Sequence, residues 1–265
     1  MSYFQLLPIS FYQILSTKLP ARRTNVTKVR ETLGLLVTSI LVAGCLCLLQ
    51  LPAQGADVSK KSTTLVVNEN GCNAKLINAI LTCMEKDIIP QTEEGVKHGN
   101  KVFGAAVFKK SDLSVVMYGT NHESYCPLYH GEVWTIMKLY DQAARPGPKE
   151  LFFFATHQPC PMCLSAITWS GFEDIFYLFS YQDSKNTFDI PYDLQQFKDI
   201  FKLPGGKYNR KNAFWKSYDV IELIKKCDKK TQAGYMARVK MIKKKYDEMS
   251  AVYQKTKVNT DIPFK

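Results

Sequence analysis

LFFFATHQPCPMCLSAITWS, residues 151–170, is the stretch on which the reading of this 265-residue chain turns. It opens with five apolar residues, 151–155, a run that suits a strand buried on both faces. After Pro159 it continues as a short predicted helix, 161–170, that Gly171 ends. Pro161 fits the first helical turn, where a missing N–H costs nothing. Cys160 and Cys163 then lie one turn apart on the same side. At a helix N-terminus the dipole and the free backbone N–H groups favour thiolates.

Two sulfurs do not complete a catalytic metal site, which usually takes three protein ligands and leaves a fourth position for water. The chain has four histidines, at 98, 122, 130 and 157. His130-Gly-Glu132 opens a predicted helix, 132–144, with Val133, Ile136, Met137 and Tyr140 on one side; Arg145-Pro-Gly-Pro148 breaks it. One helix, one breaker loop and one strand thus separate His130 from Cys160. Within a parallel sheet that path brings two helix N-termini to one sheet edge, His130 beside the cysteines.

Working outward, residues 73–88 have helical spacing and are expected to end before Pro90. Strands are expected at 102–109 and 113–118, then at 151–155 and 174–180, with a further helix at 193–201. Strands alternate with helices from 73 to 201, which implies a three-layer α/β/α domain with a mixed central sheet. A last helix, 231–253, offers Met236, Val239, Met241, Tyr246, Met249 and Val252 as its apolar stripe.

H-x-E followed by P-C-x-x-C resembles the signature of the zinc-dependent cytidine/deoxycytidylate deaminase superfamily. Phe103-Gly-Ala-Ala-Val107 resembles that family's first strand, and Gly119-Thr-Asn121 its substrate loop. Pro159-Cys-Pro-Met-Cys-Leu-Ser-Ala-Ile167 is similar to the form in its guanine deaminase and tRNA adenosine deaminase branch. The match covers 73–201. Val102, Gly131, Trp134 and Gln158 depart from the family's usual residues without removing a ligand, which leaves the substrate rather than the reaction open.

The resemblance implies a cytidine-deaminase-like fold and Zn²⁺ held by His130, Cys160 and Cys163, with water in the fourth position. It implies Glu132 as the proton carrier and substrate contacts from Asn121, Phe103, Ala105 and Gly131. His157 is given no required role, and His98 and His122 are read as surface residues. The expected activity is hydrolytic deamination of a nucleobase or nucleoside, a guanine-like purine ahead of cytosine or cytidine, by a homodimer. The rival from the residues alone is a thiol-disulfide oxidoreductase using Cys160-Pro-Met-Cys163, which leaves His130-Gly-Glu132 unexplained. A tRNA adenosine deaminase and a non-catalytic zinc-bearing module are also compatible with the motifs.

Hydrophobic residues make up 46% and charged residues 22%, enough for a core and against global disorder. The net charge of +11 is uneven, with about +4 in 1–56, −4 in 57–201 and +11 in 202–258. The catalytic part is therefore not basic, and nucleic acid is not the expected partner. Residues 1–56 read as a leader, 57–72 as a linker, 73–201 as the deaminase domain and 202–265 as a basic, partly helical extension. In the leader, Arg22, Arg23, Lys28 and Arg30 precede an apolar run bounded by Leu33 and Leu51. Small residues Ala53 and Gly55 follow at the spacing of a signal-peptide cleavage site. Export is the expectation; a membrane tether through that run and a lipid on Cys45 are the competing readings. Cys72, Cys83, Cys126 and Cys227 leave three disulfide connectivities open.

Overall fold

The computed structural model describes residues 67–264, which lie within one compact unit spanning 61–265. The leader, and with it the signal, tether and lipidation readings, falls outside the described residues. Among the described residues no helix is long and apolar enough to cross a membrane.

Among the described residues five strands form one sheet in the order β2-β1-β3-β4-β5. They are β1 (Gly104–Lys109), β2 (Val115–Thr120), β3 (Leu151–His157), β4 (Asp174–Phe179) and β5 (Lys216–Asp219). β1 is antiparallel to β2 and β3, while β3, β4 and β5 run parallel, so the sheet is mixed as expected. β3 is buried at every position, which explains its unbroken apolar start.

Alternate residues feed two cores. Ala106, Phe108, Phe152, Phe154, Phe176 and Leu178 face one side. That side is covered by α1 (Ala74–Cys83), a π-helical turn (Met84–Ile88) and α2 (Ile89–Lys97), and by α7 (Val220–Ile224) and α8 (Lys229–Thr256). Ala105, Val107, Leu151, Phe153, Ala155 and Ile175 face the other side. There lie α3 (Gly131–Tyr140), α4 (Pro161–Trp169) and α6 (Tyr192–Asp199), with a short α5 (Tyr181–Asn186) beside β4.

Two expectations are corrected, the end of the first helix and part of the stripe of the last. The first helix does not stop before Pro90. The π turn hands over to α2 at Ile89, so Pro90 occupies a first-turn position that needs no N–H. Beyond residue 201, β5 completes the sheet and α7 and α8 complete the first core. The buried stripe of α8 is Val239, Ile242, Tyr246, Met249, Ser250 and Tyr253, whereas Met236, Met241 and Val252 are exposed. Cys72 is disulfide-bonded to Cys227. Cys83 and Cys126 are free.

Candidate functional site

The site is built where β3 turns into α4. Beyond His157 the Gln158 N–H donates to the Phe179 carbonyl, which keeps the chain in register with β4 for one more residue. Cys160 takes an extended N-cap conformation, and Pro161 starts the helix. Cys163 is fully buried and Cys160 nearly so.

α3 brings the third donor. His130 is its extended N-cap residue, followed by Gly131 and Glu132 in the first turn. Gly131 sits against the start of β1. A Cβ there would lie 2.8 Å from Gly104 Cα and 3.0 Å from the Phe103 carbonyl oxygen. The departure from Ala at this position thus has a packing cause, and it lets the helix start press onto the strand.

His130 Nδ1 lies 3.6 Å from Cys160 Sγ and 3.7 Å from Cys163 Sγ. The donor atoms of His130, Cys160 and Cys163 all fall within 4.8 Å of one another. Tetrahedral zinc, with Zn–S near about 2.3 Å and Zn–N near about 2.05 Å, requires N···S separations of about 3.6 Å. Donor chemistry and spacing both fit Zn²⁺, and the metal that goes with this set is zinc.

The local electrostatics follow from burial and the sulfurs. The Cys160 thiol is drawn well below its ordinary range, chiefly by its hydrogen bond with Cys163 and then by His130 against the opposing effect of burial. Burial and the neighbouring Cys160 push the Cys163 thiol up. Burial works to lower the pKa of His130, but Cys160, Glu123 and Glu132 outweigh it and raise it to about 9. Glu132 is buried, interacts with Cys163, and is pushed up to about 7 by burial first and Cys160 second.

The other expected residues divide. Phe103 lines a cavity beside His130 and packs edge-on against the His157 ring, with centroids 4.7 Å apart. Asn121 is fully buried, and its amide is already engaged: Oδ1 accepts from the Gly131 N–H at 2.5 Å and Nδ2 donates to Glu123 at 2.6 Å. Ala105 and Gly131 are also buried, Ala105 in the core between the sheet and α3. None of these three lines the cavity that Phe103 and His130 border. His157 is buried among Phe103, Phe179, Phe188 and Tyr246. His98 is exposed, but His122 is half-buried and stacks on Trp134, a role its sequence surroundings do not reveal.

Three cavity residues carry no sequence signal. Lys101 and Glu123 form a buried ion pair at 2.6 Å. Asp193, in the first turn of α6, lines the cavity with no hydrogen bond or ion pair among the described residues, and burial followed by Cys160 holds its carboxyl well above the usual range. No motif marks them. They come together only through the fold.

Residues 77–179 match the family model described as the cytidine and deoxycytidylate deaminase zinc-binding region. The guanine deaminase of Bacillus subtilis (strain 168) is 32% identical over 94 residues, which are 34% of this chain and 59% of that protein. The chain therefore spans about three-fifths of the length of this curated relative. A solved guanine deaminase structure from Bacillus subtilis is 23% identical, covering 50% of this chain and 97% of that one, with a TM-score of 0.35. Guanine deaminase from Nitrosomonas europaea is 14% identical, covering 69% and 91%, with a TM-score of 0.38.

Proposed function

We propose that this chain, whose residues 77–179 match the zinc-binding region of the cytidine and deoxycytidylate deaminases, is a zinc-dependent hydrolytic deaminase of a nucleobase or nucleoside, with a guanine-like purine preferred. The observation that carries the reading is the meeting of His130, Cys160 and Cys163 at tetrahedral spacing with the buried Glu132 in the first turn of α3. The rival oxidoreductase reading gives neither His130 nor Glu132 anything to do.

In this reading His130, Cys160 and Cys163 hold the ion. Zinc, when bound, supplies a Lewis acid that brings the pKa of water from about 15.7 to about 7. Glu132 accepts the proton of the attacking water and delivers it to the ring nitrogen beside the amino-bearing carbon, then passes the proton of the newly added hydroxyl to the amino group, which leaves as ammonia. Phe103 forms an apolar wall for a planar ring. Asp193, half-buried on the cavity wall, offers its carboxyl group to an N–H donor on the edge of a bound base. The guanine preference is drawn from the 32% identity to a guanine deaminase over part of its length.

The test is ammonia release from guanine, adenine, cytosine and the corresponding nucleosides by the purified full chain, with and without a chelator, alongside metal analysis. One zinc per chain, chelator-sensitive turnover, and a Glu132→Gln variant that keeps its zinc and loses turnover are the expected results. A fully loaded chain that releases no ammonia from any of these substrates refutes the proposal. Asp193→Asn is expected to raise KM for guanine more than it lowers kcat. Export belongs to the same proposal and is supported by the Cys72–Cys227 disulfide, since such bonds persist mainly in oxidising compartments.

A further inference from the structure

The two nitrogens of the His130 ring face different groups. Nδ1 points at the sulfurs, at 3.6 and 3.7 Å. Nε2 faces Glu123 Oε1 at 3.5 Å, within ion-pair reach though longer than an ordinary N–H···O bond of about 2.7–3.2 Å. That carboxylate is itself fixed on both oxygens. Oε1 accepts from Lys101 Nζ at 2.6 Å and Oε2 from Asn121 Nδ2 at 2.6 Å. Asn121 Oδ1 in turn accepts from the Gly131 N–H, the first amide of α3. Lys101, Glu123 and Asn121 are all buried.

Such an arrangement is a poor way to gain stability. Removing two charges from water costs about as much as their attraction returns, and well-packed apolar residues of the same volume often do as well. What the arrangement does supply is a negative charge held at a fixed place behind one imidazole. Histidine ligands of zinc characteristically donate their second ring N–H to a carboxylate or carbonyl, which selects the tautomer, sets the ring plane and makes the ligating nitrogen more basic.

We propose that Glu123, held by Lys101 and Asn121, is the positioning residue that keeps His130 in its Nε2–H tautomer and aims the Nδ1 lone pair at the metal. The same chain of contacts continues through Asn121 to the Gly131 N–H, so one buried carboxylate sets both the ring of His130 and the start of the helix that carries Glu132. Lys101 holds Oε1, the oxygen that faces His130. This inference rests on the zinc reading of the site.

The test measures zinc affinity by competition with a chromophoric chelator, and the ligand-field absorption of the Co²⁺-substituted full chain. It compares wild type, His130→Ala, Glu123→Gln and the charge-balanced pair Glu123→Gln/Lys101→Met. The pair avoids leaving a lone buried ammonium and guards against simple misfolding. Glu123→Gln and the pair are expected to bind zinc about 10- to 100-fold more weakly and to shift the cobalt bands. Glu123→Asp, which keeps the charge, is expected to recover part of the loss. Wild-type affinity and unchanged cobalt bands in the pair, with His130→Ala losing the metal, overturn the positioning role and leave the metal site standing. A lower melting temperature with unaltered affinity per folded chain does the same, since it marks a merely structural group. A wild type that binds no metal removes the zinc reading, and this inference with it. Independently of any variant, nitrogen-15 NMR of the zinc-loaded chain is expected to find the His130 proton on Nε2; a proton on Nδ1 overturns the proposal.

Discussion

The two faces of the sheet are built from the same strands and to different ends. The face under α1, α2, α7 and α8 carries aromatic rings stacked on one another, as in Phe108 on Phe152, with centroids 4.8 Å apart and planes 4° from parallel. The face under α3 and α4 is lined where they meet it by small residues, Ala105 and Ala155, and Gly131 is pressed onto Gly104. Large side chains hold helices away from a sheet and fill the gap. Small ones let helix N-termini approach the strand ends, where thiols, imidazole and carboxylate can converge. The first face is thus filled by stacked rings, and the second, although Phe153 and Phe172 pack on it, allows close approach where α3 and α4 begin.

If the comparison is right, damage to the two faces separates into different readouts. The largest effect belongs to Cys163→Ser, which removes a metal ligand from the close-approach face. It is expected to abolish zinc retention and deaminase turnover while the apo chain keeps its far-ultraviolet circular dichroism. Glu132→Gln ranks next, with a loss of about 10²- to 10⁴-fold in turnover at full zinc occupancy, measured by ammonia release. On the other face, Phe152→Ala empties space between Phe108 and Phe176 and is expected to cost about 3–5 kcal/mol in denaturant unfolding, with zinc affinity unchanged. A fall in zinc affinity there breaks the comparison. Gly131→Ala tests where the faces stop being independent. Its Cβ meets backbone rather than a flexible side chain, so about 1–3 kcal/mol and a measurable loss of zinc affinity are expected together.

The most gradual effect appears as a pH slope. His157 is a titratable group on the bulky face, buried among aromatic rings, with its Nδ1 on Thr156 Oγ1 at 2.9 Å and no partner for Nε2 among the described residues. Burial, followed by the positive charge of Lys243, lowers its pKa to about 3. The unfolded chain therefore takes up a proton near pH 6.5 that the folded chain resists. Stability is expected to fall as pH drops from about 6.5 toward 3, by up to about 1.4 kcal/mol per unit from this group. His157→Phe is expected to flatten that slope in chemical denaturation at a series of pH values. An unchanged slope removes His157 as its source.

How much of this was legible in the sequence follows from what each residue has to do. Metal ligation restricts residue type and spacing so tightly that His130, Glu132, Cys160 and Cys163 stand out of the string, and the apolar run of β3 and the breaker at 145–148 frame them. β5 was hidden because Lys-Ser-Tyr-Asp is short and polar, and it pairs on one side only, at the edge of the sheet. α8 was visible as a helix with Val239, Tyr246 and Met249 on its buried face, but Met241 and Val252 are as apolar as the residues that are actually buried. The Lys101–Glu123 pair was invisible because a Lys and a Glu 22 residues apart are ordinary surface residues until a fold buries them. Asp193 gives no local signal for the same reason. Asn121 was legible as a special position, but not that its amide works inward, on Gly131 and Glu123.

The bond between Cys72 and Cys227 makes residues 72–227 a covalent ring, and His130, Glu132, Cys160 and Cys163 all lie inside it, whereas α8 lies outside. A protease that nicks any exposed loop between them, such as the one around Arg145, does not release a fragment. The cut halves stay tethered through sulfur, and a nicked sample migrates as one species until a reductant is added.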